Sequence, residues 1–178
     1  MDIRSTPLAG LFVLTPELRR DARGFFVESY NRQTLERHSI TTTFVQDNHS
    51  HSVQNTVRGM HYQLNPGQVK LVRVVQGAIW DVVVDLRHDS PTFGQWYGET
   101  LTAENFVQLY VPVGFAHGFC VLSDSADLLY KCSSHYDPAT ERGLAWNDPT
   151  VAIPWPVTDP VLSERDQRQP SLGEAETF

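Results

Sequence analysis

In the run Ile79-Trp80-Asp81-Val82-Val83-Val84-Asp85-Leu86, the side chains of Trp80, Val82, Val84 and Leu86 fall on one side and Asp81 and Asp85 on the other. That two-residue period is the signature of a β-strand. Working outward, the same kind of short run recurs at residues 69–76, 57–63, 43–48, 24–30 and 11–14 before it. After it come 94–101, 107–111, 118–122, 128–133 and 143–146. Breakers separate the runs, among them Asn65-Pro66-Gly67, Ser90-Pro91-Thr92 and Asp137-Pro138. The one helix candidate is short, at residues 31–38. From Val151 onward Pro154, Pro156, Pro160 and Pro170 predict an extended tail packed over the sheets. Many short strands at this spacing predict an all-β sandwich or barrel with a few short helices. There is no internal repeat, low-complexity tract or linker, so residues 1–178 are expected to form one domain.

The composition supports a globular chain: 40% of residues are hydrophobic and 20% charged. A formal net charge of −7 argues against a nucleic-acid binder, which would carry a basic face. Lys70 and Lys131 are the only lysines beside twelve arginines, and a local arginine cluster would still suit a phosphorylated small molecule. Cys120 and Cys132 are too few for a disulfide framework and read as free thiols of a reducing compartment. No secretory leader or apolar run of membrane-spanning length is present, so a cytoplasmic protein without membrane contact is expected. Asn48-His49-Ser50 fits a glycosylation sequon but lacks that secretory context.

Polar residues interrupt several of the apolar runs. Arg58, His61 and Gln63 intrude in Thr56–Gln63, and Lys70 opens Lys-Leu-Val-Arg-Val-Val. His117 lies in Pro112-Val113-Gly114-Phe115-Ala116-His117-Gly118-Phe119, read as a turn that delivers an imidazole among apolar neighbours. A lone histidine there is commonly a hydrogen-bonded core residue; two histidines, a rare lysine and several arginines shift the balance towards a site. The spacing Pro112-x-Gly114-x-x-His117 resembles the second motif of the cupin superfamily, a jelly-roll β-barrel. The first cupin motif offers His-x-His and a Glu seven residues before a Gly. Here His61-x-Gln63 and Lys70, seven before Gly77, stand in those places. An ammonium has no lone pair for a metal, so the pattern reads as a cupin barrel that has exchanged its metal for a lysine. His49-x-His51 is a competing metal pair with no third ligand nearby in the sequence.

A longer resemblance runs in order from Asp21 to Asp166. Its segments are Asp21-Ala22-Arg23-Gly24-Phe25-Phe26-Val27-Glu28, Phe44-Val45-Gln46-Asp47-Asn48-His49-Ser50, Arg58-Gly59-Met60-His61-Tyr62-Gln63, Gln68-Val69-Lys70-Leu71-Val72, Asp81–Arg87 with Ser90-Pro91-Thr92-Phe93-Gly94, Pro112–Phe119, Tyr130-Lys131, Trp146-Asn147-Asp148-Pro149 and Leu162-Ser163-Glu164-Arg165-Asp166. Together they resemble the dTDP-4-dehydrorhamnose 3,5-epimerase family. The resemblance implies a dTDP-4-keto-6-deoxyhexose as substrate and inversion beside its ketone, with no cofactor and no metal. It implies His61 as the base, Asp166 as its carboxylate partner, Tyr130 as the acid on the opposite face and Lys70 at the developing enolate oxygen. It further implies that Arg23, Arg58, Gln46, Asn48, Phe26 and Glu28 contact the nucleotide sugar. His117 and Arg165, the latter where relatives often carry lysine, complete the implied binding set. Phe26 and Glu28 are implied to come from the neighbouring subunit of a homodimer that exchanges strands. By residue pattern alone Tyr130 reads as a core tyrosine and Asp166 as a helix cap, whereas the altered cupin spacing favours function at His61 and Lys70. Epimerases acting at C3 or C5 only, and a non-catalytic nucleotide-sugar-binding cupin, are the alternatives.

Overall fold

A computed structural model describes residues 1–178. Thirteen strands follow in order: β1 (Asp2–Ser5), β2 (Phe12–Thr15), β3 (Leu18–Asp21), β4 (Gly24–Val27), β5 (Gln46–Val53), β6 (Val57–Gln63), β7 (Lys70–Gln76), β8 (Ala78–Asp85), β9 (Trp96–Thr102), β10 (Gln108–Val111), β11 (Phe115–Val121), β12 (Ser125–Cys132) and β13 (Glu141–Gly143). One short helix, α1 (Arg32–Arg37), lies between β4 and β5. Asn31 caps it by accepting from the Thr34 N–H, and Leu35 is its buried anchor. A six-stranded sheet, β1-β2-β10-β7-β12-β5, faces a five-stranded sheet, β13-β6-β11-β8-β9, and every pairing within them is antiparallel. This is the all-β, cupin-type sandwich the sequence predicts. No helix is long and apolar enough to cross a membrane.

Alternation sorts side chains into three layers. Val72, Val74, Ile79, Val83, Leu109, Phe115, Phe119 and Leu128, drawn from both sheets, form the core between them. Trp80, Val82, Val84 and Leu86 face the other way and are covered by the tail through Val151, Trp155, Leu172 and Phe178. A third cluster seals the outer face of the larger sheet, where Leu35 and Ile40 cover Leu14, Leu71 and Tyr110. Strand β8 is therefore buried on both faces. Its aspartates do not face water: Asp81 and Asp85 are fully buried, which charge allows only with close partners. Asp85 accepts from Arg87, Ser90 and Thr92 at 2.6–2.8 Å.

Several boundaries differ from the sequence expectation. His117 is inside β11, not in a turn; the turn is only residues 112–114, and pairing with β8 begins at Phe115. The 43–48 run starts at Gln46 and continues to Val53, and the 24–30 run stops at Val27. Strands β1 and β3, reading Asp-Ile-Arg-Ser and Leu-Arg-Arg-Asp, have no apolar alternation to announce them. Gly77 makes the β7–β8 turn at φ +75°, where a Cβ would collide with the Ser125 carbonyl. Hairpin β3–β4 pairs with neither large sheet, and Phe25 and Phe26 at its tip strand are 56% and 68% exposed.

Candidate active site

Tyr62 and Met60 of β6 belong to the tail-facing layer, which turns His61 and Gln63 into the space between the sheets. On the facing sheet, Lys70 shares a side with Val72, and Tyr130 packs against the inner core. Register then gathers the polar residues. His117 stands opposite His61, Cys132 opposite both Lys70 and Gln46, and Tyr130 opposite Asn48. One cavity of about 350 Å³ is lined by Gln46, Asn48, His61, Gln63, Gln68, Lys70, Tyr130, Tyr136 of the β12–β13 connection and Glu141, the first residue of β13. A second cleft of about 450 Å³ continues past His61 to Arg58, Arg165 and Asp166.

His61 Nε2 lies 2.6 Å from Asp166 Oδ1. Asp166 is only 3% exposed. It opens a 3-10 turn, Asp166–Arg168, at the foot of the tail, and its own N–H donates to Ser163 Oγ. Its second oxygen accepts from the Gly59 N–H at 3.4 Å. Burial alone would raise this carboxyl, but the hydrogen bond and charge of His61 and the Gly59 N–H hold it below the usual range. An ionised carboxylate on Nε2 leaves the other ring nitrogen, Nδ1, as the one free to take a proton.

Lys70 Nζ donates to the His61 carbonyl at 3.5 Å. Burial pushes its ammonium below the ordinary value, opposed by the charges of Cys132, Glu141 and Asp81. Burial and the neighbouring Cys132 push the Tyr130 phenol up, against the pull of Arg58, so it is protonated at neutral pH and able to donate. The cavity thus holds an imidazole, a phenol and a cation from three strands, the set needed to move protons on two faces of a carbonyl compound and to stabilise the enolate between.

The remaining predicted residues divide. Gln46 Nε2 donates to Asn48 Oδ1, and Asn48 Nδ2 to Cys132 Sγ, so both are fixed in the cavity wall. Arg58 donates to Ser52 Oγ and the His51 carbonyl in the adjoining cleft. Arg165 pairs with Glu141 at 2.6 Å. His117 does not line the cavity; its buried ring is fixed by both oxygens of Asp81 at 2.9 Å. Arg23, Phe26 and Glu28 are not brought to it either. Arg23 is exposed on the β3–β4 turn and paired with Asp21, while Phe26 and Glu28 line a separate groove beside Arg37. His49 and His51, the competing metal pair, both approach the carboxylate of Asp127, and no group of His, Cys, Asp or Glu side chains is arranged to hold a metal ion. Tyr136 and Glu141 were not legible as site residues. Their signals are a tyrosine in a polar turn and a glutamate that stands opposite Gln63 only once β13 pairs with β6.

The chain matches the family model of dTDP-4-dehydrorhamnose 3,5-epimerase over residues 5–174. It is 49% identical over 177 residues to a protein of that name from Neisseria gonorrhoeae, covering 99% of this chain and 54% of that relative, so it spans about half the relative's length. A Bacillus anthracis 3,5-epimerase crystallised with TDP and pyrophosphate superposes with a TM-score of 0.94 at 50% identity, over 96% of this chain and 98% of that one. A Legionella pneumophila 3,5-epimerase in complex with dTDP-4-keto-L-rhamnose gives 0.94 at 44% identity, over 97% and 93%.

Proposed function

The chain belongs to the dTDP-4-dehydrorhamnose 3,5-epimerase family, and from that premise we propose that it converts dTDP-4-keto-6-deoxy-D-glucose to dTDP-4-keto-L-rhamnose by inversion at C3 and C5. The observation that carries the reading is the convergence of the His61–Asp166 pair, Lys70 and Tyr130 on one cavity. The ketone at C4 acidifies both neighbouring C–H bonds, so each inversion needs only a base, an acid and a partner for the enolate.

His61 takes the proton from carbon, and Asp166, ionised and buried, fixes the ring and stabilises the imidazolium. The electron pair of the C–H bond moves into an enolate whose oxygen faces the Lys70 ammonium. A fixed cation in this partly enclosed space is worth far more than one in water. Tyr130 then delivers a proton to the opposite face, and the phenolate is reprotonated from solvent. The same four groups serve C3 and C5 in turn. Gln63 and Lys70, where a metal cupin has ligands, are poor donors for a divalent ion, so the enzyme is expected to work with chelator present.

The planar guanidiniums of Arg58 and Arg23 suit a diphosphate, with Gln46 and Asn48 contacting the sugar side. Arg58 borders His61 in one chain; Arg23, Phe26 and Glu28 do not. A second copy supplies them, its β3–β4 hairpin reaching across a two-fold axis with Phe25 and Phe26, now exposed, buried in the contact. The test is proton NMR of the substrate with protein in D₂O and EDTA. Deuterium at both C3 and C5 with formation of the L-rhamno product is expected. Exchange at one carbon only would restrict the activity to that carbon, and activity that requires an added divalent ion would overturn the metal-free mechanism.

A further inference from the structure

The connection between β12 and β13, residues 133–140, carries Tyr136 to the mouth of the cavity, yet its tip has no β-ladder to hold it. Glutamines hold it instead. Gln68 Nε2 donates to the Ser134 carbonyl at 3.0 Å. Gln46 Oε1 accepts from the Tyr136 N–H at 2.9 Å. Gln63 grips twice: its Nε2 donates to the His135 carbonyl at 3.4 Å and its Oε1 accepts from the Asp137 N–H at 3.1 Å. Four consecutive residues are thereby tied by their backbones to three different strands or turns.

Gln63 is the one of the three that no solvent reaches around: it is 4% exposed. It stands where a metal-binding cupin would carry its second histidine, and the amide has both polar ends committed to the loop. Tyr136 is fixed from the other side by its hydroxyl, which donates to Glu141 Oε2 at 2.7 Å. Glu141 also pairs with Arg165, the neighbour in sequence of Asp166. Its residue stands opposite Gln63 in the β13–β6 register. Rim and base are thus braced against one strand, β6, through two routes: His61 to Asp166, and Gln63 to the loop of Tyr136.

We propose that Gln63 is a positioning residue, whose side-chain amide clamps residues 135–137 so that Tyr136 forms the rim of the substrate cavity. It lines the same cavity as His61, but both ends of its amide are committed to the loop. Its effect on the epimerisation proposed above therefore appears in substrate capture rather than in proton transfer. An amide is the right group because the loop presents one carbonyl and one N–H: glutamate would keep the acceptor for Asp137 and set a like oxygen against the His135 carbonyl.

The experiment has two arms. Hydrogen exchange needs no substrate, so it separates this proposal from the assigned reaction. In Gln63→Ala the amides of Tyr136 and Asp137 are expected to exchange about tenfold faster, with the core strands unchanged, since buried hydrogen bonds that hold the loop are removed. In steady-state kinetics Gln63→Ala is expected to raise KM about tenfold with kcat within about twofold. Tyr136→Ala should do likewise, and the double variant should be no worse than Tyr136→Ala alone. Gln63→Glu, which keeps size and one hydrogen bond, serves if the alanine variant does not fold and should show the same split. Unaltered exchange in the loop, a fall in kcat at constant KM, or additive effects in the double variant would each overturn the proposal.

Discussion

Lys70 shows how a residue can oppose stability at the place where the proposed chemistry needs it. Its ammonium is buried without a carboxylate in contact, and its pKa is pushed down. The folded state therefore favours the neutral amine, and any stability from this group grows as pH rises from its folded pKa towards the ordinary value of 10.5. At neutral pH the charge is a cost to folding. Lys70→Met is thus expected to leave the unfolding temperature unchanged or raised while kcat falls about 10²–10³-fold, the usual loss for one enolate-stabilising group. Calorimetry beside kinetics checks both; a large loss of stability with modest loss of rate would mark Lys70 as structural. His61 and Lys70 stand out in the sequence because they occupy, with Gln63 and Gly77, the spacing of the first cupin motif, a lysine standing where a metal ligand would be. By residue pattern alone Tyr130 and Asp166 do not, since a tyrosine in Asp-Leu-Leu-Tyr-Lys-Cys and an aspartate opening a turn both look ordinary; only the family resemblance implies roles for them. Only the tail's return to β6 makes Asp166 a partner of His61.

At the scale of elements, the alternation of β8 marks it as a strand but not which side meets water, and Asp81 and Asp85 are both fully buried. The C-terminal tail decides this, because it covers the tryptophan side and leaves the aspartate side to the core. Asp85 makes the turn after β8 pH-dependent. Burial would raise its carboxyl, but hydrogen bonds from Arg87, Ser90 and Thr92 outweigh it and bring the pKa from 3.8 to about 2. A depressed pKa contributes stability above the unfolded value, lost as pH falls through the folded one. The shift corresponds to about 2 kcal/mol, fully present at neutral pH, declining from about pH 4 and largely gone by pH 2. Asp85→Asn should therefore unfold more easily than the parent at pH 7, with the difference closing towards pH 2. Urea unfolding across that range checks it, and a constant difference would contradict the assignment.

At the scale of the whole molecule, one chain gathers the groups proposed to transfer protons and leaves Arg23, Phe26 and Glu28, on and just after the β3–β4 hairpin, elsewhere. The family resemblance implies those residues for the site, the single chain holds them apart from it, and the assembly proposed above has a partner supply them. Two defective chains should then repair each other. His61→Asn lacks the base but carries an intact hairpin; Arg23→Ala has the reverse. Mixed and re-equilibrated, they are expected to form dimers with one complete site and recover activity well above either alone, with light scattering giving the mass of two chains. No recovery, or full activity in a monomer, would place Arg23 outside the site.

The central claim is that protons leave from one face and arrive at the other. It is tested most directly by Tyr130→Phe incubated with substrate in D₂O, following exchange and inversion at C3 and C5 by NMR beside His61→Asn. His61→Asn should lose both, by about 10²–10⁴-fold, because no enolate forms. Tyr130→Phe should keep substantial exchange, since His61 returns deuterium to the face it came from, while inversion falls by about 10²–10⁴-fold. Equal loss of exchange and inversion in Tyr130→Phe would remove the tyrosine from the acid role and contradict the two-sided mechanism.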